Sequence, residues 1–98
     1  MKYIVQIELD PDIGADVEEE APQQIQEMTE AWQALNPIGM YFSLTSRAIT
    51  IILDAANEDA FFEPLHKTWL ITRSYPDVWP VVGAEEFPAI AKRVGIMP

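Results

Sequence analysis

At 98 residues, with 49% hydrophobic and 10% aromatic residues, the chain has mass for one packed core, which excludes both a second domain and wholesale disorder. It carries no cysteine and one histidine, His66, so disulfides, thiolate nucleophiles, zinc ribbons, iron–sulfur clusters and multi-histidine centres are excluded. Six basic against sixteen acidic residues give a net charge of −10, which repels phosphate backbones and argues against nucleic acid.

In chain order, Met1 to Leu9 alternates and has no apolar h-region, so no signal peptide is expected. No apolar run approaches the ~18 residues of a membrane span. The expected location is the cytoplasm. Tyr3, Val5, Ile7 and Leu9 share one face of this first strand, and Lys2, Ile4, Gln6 and Glu8 share the other. Asp10, Pro11, Asp12 and Gly14 end it with turn chemistry. Ala21, Ile25, Met28, Trp32 and Leu35 then recur at helical spacing. Pro22 belongs in the first turn of that helix, Glu18 to Glu20 favour its positive end, and Asn36-Pro37 stops it.

A second strand is predicted over Ile38 to Leu44, with Gly39, Tyr41 and Ser43 on one side. After the short link Thr45 to Arg47, a third strand runs from Ala48 to Leu53, which reads as an antiparallel hairpin. Asn57 is a helix cap, followed by a helix with Phe62, Leu65 and Trp69 on its stripe; Pro64 should kink or split it. Tyr75-Pro76 closes that helix, and Val78 to Val82 is a fourth strand whose Pro80 demands an edge or a bulge. Glu85 and Glu86 open a short last helix that Lys92, Arg93 and Gly95 close.

The expected fold class is therefore α+β over residues 1–98. It is a ferredoxin-like β-α-β-β-α-β domain with a four-stranded antiparallel sheet, two helices on one face and a short C-terminal helix. The face away from the helices would carry Ile4, Gln6, Glu8, Tyr41, Ser43, Thr50, Ile52 and a register of the fourth strand containing Trp79 or Val81. That set is too apolar for water and too polar for a dry core.

The element order, the length and this mixed face look like the dimeric α/β-barrel proteins. Arg47 to Asp54, followed by Ala55-Ala56-Asn57-Glu58-Asp59, is similar to the third strand and helix cap of the muconolactone isomerase type. The stretch from Pro64 to Val82, with Trp69 and Trp79-Pro80-Val81-Val82, resembles small uncharacterised members of that superfamily. The resemblance implies a homodimer whose paired sheets enclose a small apolar or aromatic molecule. It also implies, in an enzymatic version, a cofactor-free isomerase or monooxygenase. The alternative is a non-enzymatic structural or protein-interaction domain. No catalytic residue is carried over, since fold does not fix activity.

From the residues themselves, the candidate ligand-facing set is Gln6, Glu8, Tyr41, Ser43, Thr50 and Trp79. Glu8 is its acid and could shuttle a proton if enclosed, while Tyr41 and Ser43 could orient a carbonyl or phenol. His66 is the one side chain that ordinarily titrates near neutrality, but its helix packs on the wrong side of the sheet, which favours a structural or exposed histidine. The loop from Asp10 to Glu18 tempts a calcium reading, but an EF-hand beginning at Asp10 would want an acid or Asn at 14, Gly at 15 and Glu at 21. Gly14, Ala15 and Ala21 stand there instead, so no metal and no cofactor are expected. The acidic run between Tyr3 and Ser46, with no base in it, reads as a solvated face rather than a docking surface for a basic partner. Trp32 and Trp69 read as core filling; Trp79 belongs near the dimer seam.

Overall fold

A computed structural model describes residues 1–9 and 21–96. The acidic turn and calcium-like loop at 10–18 and the Glu18 to Glu20 run lie outside the described residues. Among the described residues eight short elements follow one another: β1 (Lys2–Glu8), α1 (Ala21–Gln33), β2 (Gly39–Phe42), β3 (Ala48–Asp54), a 3-10 turn (Glu58–Phe61), α2 (Phe62–Thr72), β4 (Asp77–Val81) and α3 (Phe87–Arg93). The strands form one antiparallel sheet in the order β2-β3-β1-β4, and with the three helices this α+β arrangement fits the ferredoxin-like pattern. Among the described residues no helix is long and apolar enough to cross a membrane.

Period-two alternation decides which side of the sheet is dry. Tyr3, Val5 and Ile7 of β1 stand opposite Leu53, Ile51 and Ile49 of β3, and all six are buried. Met28 and Trp32 of α1 and Phe61 of the 3-10 turn complete the cluster over them. Phe61 meets the Tyr3 ring edge-on at 5.0 Å. Burial raises the Tyr3 phenol above its ordinary range, and the nearby Glu58 carboxylate adds to that rise. Pro80 is accommodated as its position requires: β4 is an edge strand, and Pro80 faces Tyr3. The hydrogen bonds from Leu9 N–H to Arg47 and from Ala55 N–H to Met1 show that odd-numbered residues of β1 turn their backbone groups toward β3. Pro80 thus sits where no ladder donor is needed.

The second helical segment departs from expectation. Asn57 does cap it, its side chain accepting from Asp59 N–H, but what it caps is the 3-10 turn. Pro64 has no N–H to offer Ala60, so regular α-helical bonding starts only at Phe62 and the segment is split as predicted. The tighter 3-10 winding shifts the phase of the stripe. Phe61, Pro64, Thr68 and Thr72 point inward, whereas Phe62, expected on the buried stripe, is 72% exposed. Thr68 accepts a hydrogen bond from Trp32 Nε1 at 2.9 Å and donates to Pro64 O at 2.7 Å. Thr72 Oγ1 lies 2.8 Å from Thr68 O. These bonds let two threonines be buried at no penalty, and no buried side-chain polar atom among the described residues lacks a partner.

The termini of the helices follow ordinary capping chemistry. Arg73, in the left-handed region at φ 59°, ends α2 with its N–H on Trp69 O, and its guanidinium lies over the Trp69 ring. After α3, Gly95 at φ 80° permits paired closing bonds from Gly95 N–H to Lys92 O and from Ile96 N–H to Ala91 O.

Candidate functional site

The residues between the buried ones on each strand form the other face of the sheet. Register aligns them in rows across the strands. One row is apolar: Trp79 of β4 beside Ile4 of β1, then Ile52 of β3, then Gly39 of β2. The next row is polar: Asp77, Gln6, Thr50 and Tyr41 in the same strand order. Ile4, Gln6, Thr50 and Ile52 are half-buried on the two central strands. At the edges, Trp79 is 41% exposed and Tyr41 62% exposed. The core cluster draws Met28, Trp32 and Phe61 to the opposite side, so none of that cluster's helical side chains lies over this open face.

Local chemistry fixes several of these side chains. Thr50 Oγ1 donates to Gln6 Oε1 across the β1–β3 pair at 2.5 Å. That bond occupies the amide oxygen and leaves the two Gln6 amide hydrogens to point elsewhere. Gly39 has a specific role: a Cβ there would come within 2.8 Å of the Tyr41 ring. The missing side chain is what lets the Tyr41 ring lie back along β2 over its own strand. The apolar row therefore runs from an indole on one edge to a phenol ring on the other, with Ile4 and Ile52 as floor. Neighbouring strands are spaced by about 4.8 Å, so three intervals across the four strands make it roughly 14 Å wide.

Charge is distributed unevenly around this row. On one side Lys2 faces Asp54, whose Oδ1 lies 3.1 Å from the ammonium of Met1. On the other side lie Asp77 in the polar row and then Glu8, opposite Ala48 at the end of β1. Glu8 is exposed, and together with Gln6, Thr72, Ser74, Tyr75 and Asp77 it borders a cleft of about 130 Å³ where β1 runs past the start of β4.

Of the residues singled out from sequence, Gln6, Thr50, Tyr41 and Trp79 are brought together on the open face, with Glu8 at its end. Ser43 lies just past the end of β2 at Phe42: its N–H still bonds Ala48 O at 3.0 Å, and its hydroxyl accepts from the N–H groups of Thr45 and Ser46 inside the hairpin turn. His66 stands apart in the helix layer, exposed, its ring parallel to that of Phe62 at 6.1 Å between centroids. Gly39 falls on the side of β2 that alternation shares with Tyr41, whereas Asp77 was missed because β4 begins one residue before the predicted Val78. Its signal lay in the register, which places it beside Gln6.

A second concavity, about 340 Å³, lies between α1 and α2 and is rimmed by Glu27, Glu30, Glu63 and Lys67. Its carboxylates are already engaged along their own helices, Glu63 with Lys67 and Glu30 with Gln26. Among the described residues no group of three or more His, Asp or Glu side chains gathers as a metal site. Comparison with protein-family models, curated proteins and solved structures finds no match to this chain.

Proposed function

We propose that this chain is a homodimeric binding protein of the dimeric α/β-barrel kind: two copies apply their open faces to one another and hold a small apolar or aromatic molecule between them. The observation that supports this reading is the apolar row Trp79–Ile4–Ile52, ended by the Tyr41 ring over Gly39, whose central isoleucines are half-buried and whose two aromatic ends are exposed. Large exposed apolar surface rimmed by polar residues is the usual mark of an interaction or ligand site. The polar row beside it supplies the few oriented hydrogen-bonding groups that such sites need for specificity.

Binding is preferred here over catalysis because the acid–base groups are separated. Glu8 lies at the end of the open face and His66 in the helix layer, so neither has the other as partner. In an isomerase or monooxygenase version Glu8 alone would have to move the proton. The test is light scattering at micromolar concentration, which should give about twice the 11.1 kDa chain mass. Ile4→Glu, which puts a charge in the middle of the row, should return the protein to a monomer with its helical content unchanged. A monomeric parent protein would overturn the barrel reading.

A further inference from the structure

The open face is apolar along one row and acidic along one side of it. We infer that the molecule it holds is an aromatic amine, a flat ring carrying a protonated nitrogen on a short chain, and not an aromatic acid. This rests on the ligand site proposed above and specifies its chemistry. A ring lying on Ile4 and Ile52 between Trp79 and Tyr41 has its hydrogen-bonding neighbours on one side only, in the row Asp77–Gln6–Thr50–Tyr41. Rows two residues apart along a strand are separated by about 6.7 Å, which is the reach of a ring substituent of two or three atoms.

The groups at that distance are chiefly acceptors for a cation. Asp77 offers a carboxylate, and Thr50, having given its proton to Gln6, turns lone pairs outward. Glu8 stands one further row along the same strand. The Gln6 amide is the donor among them. Lys2, the basic side chain of this face, lies on the far side of the apolar row, and there it faces Asp54. The indole of Trp79 adds a π-surface that favours a nearby cation. The net charge of −10 works in the same direction, raising the local concentration of cations and lowering that of carboxylates.

Three probes with one ring and one chain length separate the possibilities: 2-phenylethylamine, 2-phenylethanol and 3-phenylpropanoate. Binding to the full chain is read from the Trp79 indole N–H resonance at low ionic strength. The amine should bind on the order of tenfold more tightly than the alcohol, with the acid weakest, and the margin should shrink as salt screens the charges. Asp77→Asn should cut the amine's advantage to less than about threefold and leave the alcohol unchanged. Glu30→Gln in the helix layer removes the same unit of charge and should change neither ratio. Equal or tighter binding of the acid would overturn the inference while leaving the ligand site standing, as would an equal effect of Glu30→Gln. If none of the three shifts the Trp79 resonance at millimolar concentration, the site and its ligand class fall together.

Discussion

Alternate residues of the same strands build two faces that differ in almost every respect. On the covered face Tyr3, Val5 and Ile7 meet Ile49, Ile51 and Leu53, and helical side chains exclude water from all of them. On the open face the intervening Ile4, Gln6, Thr50 and Ile52 are half-buried, and their neighbours Trp79 and Tyr41 are exposed. Backbone pairing is identical for the two, so the difference comes from what packs above each. Hydrophobic burial on the covered face sustains the fold. The open face keeps apolar surface that folding of one copy does not use, and such surface is available for association.

Two tryptophans sharpen this contrast most. Trp32 is fully buried on the covered side, with its indole N–H bonded to Thr68. Trp32→Ala should cost about 3–5 kcal/mol in urea unfolding, the range for deleting a large buried aromatic. Trp79→Ala on the open face should cost less than about 1 kcal/mol when measured at protein concentrations too low for dimers, close to the surface norm. At higher concentration the parent should gain stability by mass action and the Trp79→Ala variant should not. Equal costs at low concentration would mean that the two faces are not different in kind.

The next effect isolates the polar link within the covered side. Thr68→Val keeps the shape but removes the oxygen that accepts from Trp32. An indole N–H left buried without an acceptor should cost about 1–3 kcal/mol. Thr68→Ser, which restores the oxygen, should recover most of that loss. If valine is as good as serine, the N–H has found water, and this part of the helix layer is wetter than the covered face requires.

Much of the covered face could be read from the sequence, because alternation in β1 and β3 and the Met28–Trp32 spacing are strong and agree with one another. Thr68 and Thr72 were not legible, since a threonine reads as exposed unless the bond that satisfies its hydroxyl is known. Phe62 was assigned to the core because a 3.6-residue period was extended through a turn that the chain winds as 3-10. On the open face the residue types on β1 and β3 were legible. On the edge strands alternation also placed Tyr41 and Trp79, but not Asp77, because β4 begins one residue before the predicted Val78. What alternation could supply was a list of face residues, and what register adds is their order in rows.

A smaller effect tests the arrangement of the open face itself. Gly39→Ala should push the Tyr41 ring off β2, because the added Cβ would come within 2.8 Å of it. Tyr41 is exposed, so the ring has somewhere to go, and the cost in stability should stay below about 1 kcal/mol. Dimerisation and probe binding should weaken all the same. In a Tyr41→Ala background the same glycine substitution should lose its effect on both. Non-additivity of this kind is the sign that the two residues act as one unit.

The smallest effect at neutral pH concerns Tyr3, which stands between Lys2 and Ile4 in sequence but turns to the covered side. Burial, and then the Glu58 carboxylate, raise its phenol above the ordinary value of 10.0. The folded state thus favours the neutral form more than the unfolded chain does. The resulting stabilisation is fully present below the unfolded value and is lost as pH rises through the raised folded value. Tyr3→Phe keeps the edge-on contact with Phe61 and has no proton to lose. Its stability relative to the parent should be constant at neutral pH and should improve progressively above about pH 10. All other groups are the same in both proteins and cancel in the difference, so urea unfolding of the pair between pH 8 and 11 reads Tyr3 alone. Glu58→Gln should make that loss smaller, while it still begins near the unfolded value, because removing the carboxylate takes away the smaller of the two causes and leaves burial. A difference that stays flat to pH 11 would place the Tyr3 hydroxyl in water when the protein is folded. The covered face would then be open at that edge, and the contrast between the two sides of the sheet would hold only for its centre.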